Sequence, residues 1–239
     1  SNEHLIIQRI HKLNFQYSSS DLQLQIDDLL FNKGDTHALI GPSGSGKTTL
    51  LNLIAGISTP HEGRIKYKDI EVSKLSEAER RGFRISRIGF VFQDFKLINY
   101  LTVFENIMLP YRINARLKID PLVRARIDTL SEYAGIDKYL SKYPKNLSQG
   151  ERQRVAICRA LVTQPELILA DEPTGNLDPK NKKKILDLLF KYCKEEGTTL
   201  ITVTHDHELL PDFDEVIDFS KLLSEDEINL RLNKTNTES

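Results

Sequence analysis

The fold of this chain follows from one stretch of its sequence, Gly41-Pro42-Ser43-Gly44-Ser45-Gly46-Lys47-Thr48. The stretch fits the pattern G-x-x-x-x-G-K-[ST], which connects a buried strand to a helix. Both neighbours are predicted here, since an apolar run at 37–40 precedes the pattern and an apolar helix begins at Thr49. The stretch therefore predicts an α/β fold in which this loop follows a strand of a parallel sheet.

The residue types of this loop suit the binding of phosphate groups. Glycines let the backbone turn its N–H groups toward the β- and γ-phosphates of a nucleotide, and the following helix adds the partial positive charge of its N-terminus. Lys47 would bridge the phosphate oxygens and Thr48 would bind Mg²⁺. We therefore predict that a nucleotide is held by Gly41, Pro42, Ser43, Gly44, Ser45, Gly46, Lys47, Thr48 and Thr49.

Two adjacent acids follow a second apolar run at 167–170. Asp171 would hold Mg²⁺, usually through water, whereas Glu172 points the other way and could orient and deprotonate the attacking water. Two acids at the end of a strand are by themselves more typical of an ordinary turn. The phosphate-binding pattern in the same chain favours the catalytic interpretation.

Composition excludes several functions. The 239 residues carry 33 basic and 34 acidic side chains, so no broad positive field exists that would hold a nucleic-acid backbone. The first residues lack the basic-then-apolar pattern of a signal peptide, and no apolar run approaches the roughly 18 residues of a membrane span. We therefore expect a cytoplasmic protein with no nucleic-acid partner.

The chain divides into a strand-rich part and a helical part. Alternation at 22–26 predicts a half-exposed antiparallel strand, whereas the apolar runs at 37–40, 167–170 and 200–204 predict parallel strands buried on both faces. Between 94 and 165 the pattern is mostly helical. One helix is predicted to begin with an N-cap at Asp120 followed by proline, and another follows Asn176.

A further motif carries a resemblance to a known family. Residues 147–161 begin Leu-Ser-Gln-Gly-Glu and continue into an apolar, arginine-rich helix, which closely resembles the signature sequence of the ABC ATPases. Gln93, Asn176-Leu177-Asp178 and His205 occupy the places of the family's other motifs, in order. The resemblance implies a P-loop NTPase of the ABC ATPase fold, with a mixed central sheet, an antiparallel β subdomain and an inserted α-helical subdomain.

The resemblance also implies the domain organisation and the assembly. One ABC ATPase domain would span residues 1–239. The RecA-like core and the antiparallel β subdomain would occupy 1–93 and 166–239, and the helical subdomain with the signature would occupy 94–165. ATP and Mg²⁺ would be bound in a head-to-tail homodimer. The phosphate-binding loop of one subunit would face Ser148 and Gly150 of the other.

Further site residues are implied by the same likeness. Asp178 would reach across the dimer interface, His205 would hold the γ-phosphate, and Gln93 would contact the metal or the attacking water. An aromatic ring before the phosphate-binding loop would stack on adenine. Tyr17 fits this place better than Phe15. Either ring could instead pack in the antiparallel sheet predicted near the start of the chain.

The signature departs from the usual Leu-Ser-Gly-Gly-Gln at two positions. Gln149 replaces the first glycine, but Gly150 keeps the close backbone approach next to Ser148, so we expect the phosphate contact to survive. Glu151 brings a carboxylate near a phosphate site, which would repel unless it turns toward Arg152, Arg154 or a partner. These changes affect turnover more than the fold.

Within the family, residues 101–110 and 170–178 look like the branch that serves lipoprotein release, macrolide efflux and cell division. One hypothesis is the ATPase of an exporter, with lipoprotein release as the leading case. The alternative is a regulatory ATPase whose membrane partner signals or controls cell-wall or cell-division enzymes without moving cargo. A soluble ABC protein of DNA repair or translation would need a coiled-coil insertion or a second cassette, of which the sequence shows no sign.

The two favoured hypotheses share an integral membrane subunit and a peripheral location on the inner face of the cell membrane. Docking is expected between the Gln93 loop and the helical segment that follows it. An apolar cluster lies there, formed by Phe95, Leu97, Ile98, Tyr100 and Leu101. Buried core is the competing interpretation of this cluster.

Overall fold

The computed structural model describes residues 6–16 and 23–222, and this part of the chain forms two sheets and six α-helices. The strands are β1 (Ile6–Gln16), β2 (Gln23–Asn32), β3 (Thr36–Ile40), β4 (Glu62–Tyr67), β5 (Ile70–Glu71), β6 (Ile88–Phe92), β7 (Leu167–Asp171), β8 (Thr199–Val203) and β9 (Glu215–Asp218). The helices are α1 (Lys47–Ile54), α2 (Glu77–Arg87), α3 (Val103–Ile113), α4 (Pro121–Tyr133), α5 (Gln149–Leu161) and α6 (Pro179–Glu196). No helix of the described residues is long and apolar enough to cross a membrane.

The central sheet has five strands in the order β6-β7-β8-β3-β9, and each pair of neighbours is parallel. The predicted α/β fold and the three predicted buried strands are therefore confirmed. The described strands of the central sheet are all parallel and not mixed, whereas the expected antiparallel β subdomain is confirmed as a separate second sheet. Antiparallel pairing among the described strands is confined to the second sheet, because β1 pairs along its length with β2 and β4 and not with an edge of the central sheet.

The second sheet has the order β2-β1-β4-β5 and is antiparallel throughout. Leu24 and Ile26 of β2 are buried while their neighbours are exposed, as the predicted alternation requires. Leu22, the first residue of that predicted strand, lies outside the described residues. The alternation sets one face of this sheet against the core and leaves the other face in solvent.

Strand β7 separates two apolar cores because its side chains alternate between the two faces of the central sheet. Leu167 and Leu169 pack with α1 and the antiparallel sheet. Ile168 and Ala170 pack with the helices α3 to α6. Burial on both faces explains why this strand is a continuous apolar run in the sequence.

The described residues from 94 to 165 contain α3, α4, α5 and two short 3-10 turns. Asp120 caps α4 as predicted, since its carboxylate accepts a hydrogen bond from the backbone N–H of Val123 at 3.0 Å. Helix α5 packs against β6 at a position where that strand carries glycine. A Cβ at Gly89 would lie 2.6 Å from the carbonyl oxygen of Ala160.

We predict that Gly89→Ala lowers the free energy of unfolding by about 1–3 kcal/mol, because α5 has to move to admit the methyl group. Gly82→Ala in α2 is the matched control, since its Cβ would meet only the flexible end of the Arg116 side chain. Replacing a helical glycine with alanine should keep stability unchanged or raise it by up to about 1 kcal/mol. Urea denaturation measures both variants, and equal effects would contradict the close packing of α5 on β6.

Candidate functional site

Five predicted residues come together at one edge of the central sheet. Gln93 follows β6, Asp171 and Glu172 end β7, His205 follows β8, and Gly41 follows β3. These four strands are neighbours in the order β6-β7-β8-β3. Because parallel strands end at the same edge, their loops form one site at the carboxyl ends, where α/β sheets commonly bind ligands.

The loop between β3 and α1 needs glycine at Gly44 and Gly46, whose φ angles are 73° and 101°. Such left-handed angles are accessible to glycine without the steric cost that other residues incur. Gly46 is the N-cap residue of α1, and no side chain caps this helix. No side chain therefore competes for the first N–H groups of α1, which is compatible with the predicted binding of an anion by this loop.

The ammonium group of Lys47 lies inside the loop. Its Nζ donates hydrogen bonds to the carbonyl oxygens of Gly41 at 2.6 Å and Pro42 at 2.8 Å. The side chain is buried. Burial lowers the pKa of Lys47, while the carboxylates of Glu172 and Asp171 oppose that shift. This positive charge thus faces the two acids of β7 across the phosphate-binding loop.

Thr48 and Asp171 are in direct contact. The Thr48 hydroxyl donates to the Asp171 carboxylate at 3.1 Å. Burial raises the pKa of Asp171, with the hydrogen bond from Thr48 acting against it and the Glu172 carboxylate adding to it. A hydroxyl and a carboxylate oxygen are ligands of the type that Mg²⁺ prefers, and a cation would favour the ionised form of Asp171. The two residues fit the predicted metal site.

Glu172 and His205 form the most direct side-chain contact of the site. His205 Nδ1 lies 2.7 Å from Oε1 of Glu172, an arrangement in which the imidazole N–H donates to the carboxylate. The Glu172 side chain is 16% exposed and His205 is 73% exposed. The contact fixes the carboxylate of Glu172 and leaves the other imidazole nitrogen facing outward.

The backbone of Glu172 has φ 46°, a left-handed angle that costs a non-glycine residue about 1 kcal/mol or more. Surrounding hydrogen bonds hold it there. The N–H of Glu172 donates to the carbonyl of Val203 at 2.9 Å, and the N–H of Gly175 donates to the carbonyl of Glu172 at 3.1 Å. The turn after β7 therefore directs the two neighbouring acids differently.

An ion pair missed by the sequence reasoning lies beside His205. Lys182 of α6 donates to Asp206 at 2.8 Å, and the backbone N–H of Asp206 donates to the Thr204 hydroxyl at 3.1 Å. The hydrogen bond from Lys182 lowers the pKa of Asp206. Lys182 belongs to a lysine-rich run at 180–184, in which nothing local distinguishes it from its exposed neighbours.

Gln93 forms two hydrogen bonds with Asn176, a residue to which the sequence analysis assigned no role of its own. The side-chain amide of Gln93 donates to Oδ1 of Asn176 at 3.2 Å, and the amide of Asn176 donates to the backbone carbonyl of Gln93 at 3.3 Å. A Cβ at Gly175 would come within 2.8 Å of Gln93 Nε2. The loops after β6 and β7 are thus in close contact.

Ser148 is the N-cap of α5, and Glu151 completes a capping box. The Ser148 N–H donates to the Glu151 carboxylate at 2.8 Å, and the Glu151 N–H donates to the Ser148 hydroxyl at 3.2 Å. The backbone hydrogen bond from Ser148 lowers the pKa of Glu151. The carboxylate of Glu151 thus satisfies the end of its own helix, and the positive charge of Arg154 also lowers its pKa.

Gly150 of α5 and Asp178, the N-cap of α6, both lie against Asn181. A Cβ at Gly150 would lie 2.9 Å from Oδ1 of Asn181, so the two helices α5 and α6 approach closely. Asp178 caps α6 by accepting hydrogen bonds from the backbone N–H of Asn181 at 3.0 Å and from its side-chain amide at 2.6 Å. Ser148, Gly150 and Asp178 therefore form a second group, at the first turns of two adjacent helices.

Tyr17, the residue predicted to stack on adenine, lies outside the described residues. Phe15 is buried in the core with the antiparallel sheet and stacks on His61 with ring centroids 5.7 Å apart. This agrees with the alternative that a ring of the opening sheet packs in the core.

The predicted docking cluster divides between core and surface. Phe95 and Leu97 are partly buried against the core of the helical segment, whereas Tyr100 is 80% exposed. A largely apolar groove of about 310 Å³ lies close by, between β6 and the helices α2, α3 and α5. Its lining includes Phe92 and Ile113, of which Ile113 is 69% exposed.

Comparisons with known proteins identify related chains. The family model of the ABC transporters matches residues 24–175. The lipoprotein-releasing system ATP-binding protein LolD of Legionella pneumophila (strain Lens) is 39% identical over 89% of this chain and 93% of its own. The macrolide export ATP-binding/permease protein MacB of Rhodopirellula baltica is 44% identical over 77% of this chain, a match that covers 27% of MacB.

The same relationship appears among solved structures. The dimeric post-hydrolysis state of the ATP-binding cassette MJ0796, bound to ADP and Pi, has a TM-score of 0.77 and 35% identity, over 88% of this chain and 93% of that chain. The ABC ATPase fold predicted from the signature motif is confirmed. The chain belongs to the ABC transporter family, as an ATP-binding ATPase subunit related to LolD and MacB.

Proposed function

We propose that this chain forms a homodimer that closes on two ATP–Mg²⁺ and drives a separate integral membrane subunit, in lipoprotein release or export. The observation that carries the proposal is the Glu172–His205 contact of 2.7 Å, at the end of the strand whose Asp171 contacts Thr48. The likeness to LolD, named as the ATP-binding protein of a lipoprotein-releasing system, supports this cargo. Through its membrane subunit, the dimer would be peripheral on the inner face of the cell membrane.

The residues of the site fit ATP and Mg²⁺. Residues 41–49 would hold the phosphates through the free N–H groups of α1 and the ammonium of Lys47. Thr48 and Asp171 would supply oxygen ligands for Mg²⁺, and Gln93 would contact the metal or the attacking water. The bound metal neutralises charge on the phosphate oxygens. Tyr17 is proposed to stack on the adenine ring.

Glu172 would act as the general base. Its carboxylate is kept in one orientation by Nδ1 of His205, so it can orient a water molecule and accept its proton. The outward nitrogen of His205 would donate to the γ-phosphate. This division of work suits phosphoryl transfer, which depends on positioning and charge stabilisation more than on covalent catalysis.

The second group of residues would complete the site of the other subunit. Ser148 accepts the hydrogen bond of its capping box and still has its own O–H to donate to a phosphate oxygen. Gly150 lies at the first turn of α5, whose N-terminus favours an anion. Asp178, beside it, would reach across the interface. Each monomer would therefore contribute half of each ATP site.

The membrane subunit is proposed to dock in the groove of about 310 Å³ between β6 and the helices α2, α3 and α5. The groove begins where β6 leads into the Gln93 loop, so a docked segment would contact the loop that reaches the ATP site. Exposed Ile113 and Tyr100 supply apolar surface for such a segment.

Glu172→Gln is predicted to lower ATP turnover by at least about 100-fold, because the amide cannot accept a proton from water. ATP affinity should stay within about twofold of the parent, since the shape of the side chain is kept. Phosphate release and titration with a fluorescent ATP analogue measure the two quantities. Glu208→Gln makes the same change at an exposed position and should retain parent turnover. Parent-level hydrolysis by Glu172→Gln would refute the general-base assignment.

Lys47→Ala is predicted to weaken ATP binding by roughly 10- to 100-fold, which corresponds to the loss of a charge-assisted hydrogen bond of about 1.5–3 kcal/mol. The measurement is the same titration with a fluorescent ATP analogue. Lys184→Ala, at an exposed position on α6, serves as the control and should leave affinity unchanged. Unchanged affinity in Lys47→Ala would show that Lys47 and its loop do not bind the phosphates of ATP.

Ile113→Asp is predicted to abolish co-purification of the chain with its membrane subunit from detergent-solubilised membranes, because a carboxylate would be desolvated in the groove. Leu122→Asp on α4 is the matched control, since Leu122 is 68% exposed but does not line the groove. Thermal unfolding checks that both variants are folded. Equal recovery of the membrane subunit with both variants would place the docking surface elsewhere.

A further inference from the structure

Gln153 is a fully buried polar residue on the second turn of α5. Its side-chain amide nitrogen donates to the backbone carbonyl of Phe92 at 3.2 Å and to the backbone carbonyl of Pro173. The two acceptors belong to different segments, which are 61 and 20 residues away from Gln153 in the sequence. One NH₂ group therefore connects three elements of the chain.

The two acceptors stand next to the reacting groups of the proposed site. Phe92 directly precedes Gln93, and Pro173 directly follows Glu172. A hydrogen bond to a carbonyl restrains the whole peptide group. The amide of Gln153 therefore restrains the peptide that joins Phe92 to Gln93 and the peptide that follows Pro173, one residue beyond Glu172. The distance between the Gln93 loop and the Glu172 turn is thereby tied to the position of α5.

The Glu172 turn needs this restraint. Its left-handed φ of 46° is held on one side by the hydrogen bond to Val203 and internally by the hydrogen bond from Gly175. Gln153 of α5 donates a hydrogen bond to the carbonyl of the following residue, Pro173. Without that bond, the side of the turn that faces α5 would be free to relax toward a less strained angle.

The unused end of the same amide indicates what it does. Oε1 of Gln153 is buried and has no hydrogen-bond partner among the described residues. A buried unpaired acceptor is costly, and an apolar side chain of the same size would avoid that cost but would leave the carbonyls of Phe92 and Pro173 without this donor. The NH₂ group and its two acceptors are what an apolar residue could not supply.

Arg159 extends the same connection toward the other end of α5. Its guanidinium donates to the carbonyls of Lys96 at 2.6 Å and Phe95 at 2.7 Å. Both acceptors have left-handed backbones, with φ of 50° and 59°. Helix α5 therefore holds the segment 92–96, which contains Gln93, at its two ends.

We propose that Gln153 is a positioning residue for ATP hydrolysis, which couples the position of α5 to the backbones of Gln93 and Glu172. The inference rests on the proposed role of Glu172 as the general base. A displacement of α5, whose first turn carries Ser148, would then move both residues together. Because Gln153 is fully buried, it would contact neither ATP nor the attacking water.

The test replaces Gln153 with Met, which has a similar length and keeps the packing but removes the donor. We expect kcat for ATP to fall by about tenfold or more, because small displacements of catalytic groups are costly, while KM changes by less than about twofold. Backbone amide hydrogen exchange should become faster in residues 92–96 and 172–176 and stay unchanged in α6. Gln153→Glu, which turns an acceptor toward the two carbonyls, should have a lower kcat than Gln153→Met.

Val155→Ala is the matched control, because Val155 is fully buried on the same helix and is an apolar side chain with no donor to offer. It should lower the unfolding temperature while keeping the kcat of the folded protein and the exchange of both segments. A Gln153→Met protein with parent kcat and parent exchange would overturn the proposal. So would a Gln153→Met protein that no longer folds or binds ATP, since the amide would then support the fold and not the site.

Failure of the proposed function gives a different result. If Glu172 is not the base, Glu172→Gln keeps its turnover, while Gln153→Met still shows faster exchange in the two segments. If Glu172 is the base and Gln153 does not position it, Glu172→Gln loses turnover, whereas Gln153→Met keeps parent kcat and parent exchange.

Discussion

The parallel pairing of β6, β7, β8 and β3 is the constraint on which the site depends. Residues from four distant parts of the sequence meet only because these strands are neighbours that run in the same direction and end at one edge. The pairing of Phe92 with Asp171 sets Gln93 beside the acids, and the pairing of Asp171 with Val203 sets His205 on their other side. Hydrogen bonds between loops, such as His205 to Glu172, then fix the side chains.

The site divides into two groups with different chemistry. In the proposed site, the sheet edge would supply a phosphate-binding loop, two oxygen ligands from Thr48 and Asp171, and Glu172 as a base held by His205. The first turns of α5 and α6 supply Ser148, Gly150 and Asp178, which are ordered by caps within their own helices. Gln153 and Arg159 link α5 back to the sheet edge. In the proposed dimer, the N-terminus of α5 would contribute to the ATP site of the partner subunit. Gln153 and Arg159, further along α5, would support the ATP site of their own subunit.

Local patterns in the sequence predicted what local rules determine. The glycine-rich loop, the acids at the end of β7 and the Asp120 cap each follow from a few adjacent residues. The capping box of Ser148 and Glu151 was equally readable, since serine followed three residues later by glutamate is its usual pattern. The contacts of Gln153 and the Lys182–Asp206 pair join residues that are 20 or more positions apart in the sequence. No local sequence pattern indicates such contacts. The all-parallel pairing of the described central strands, where a mixed sheet was expected, has the same origin, because strand partners are chosen by the packing of the whole chain.

The central claim is that each ATP site is completed by a second copy of the chain. The most direct measurement is the molar mass of the Glu172→Gln protein by light scattering, with and without ATP and Mg²⁺. We expect this protein to be a monomer without nucleotide and a dimer when ATP and Mg²⁺ are present. A monomer at saturating ATP would contradict it.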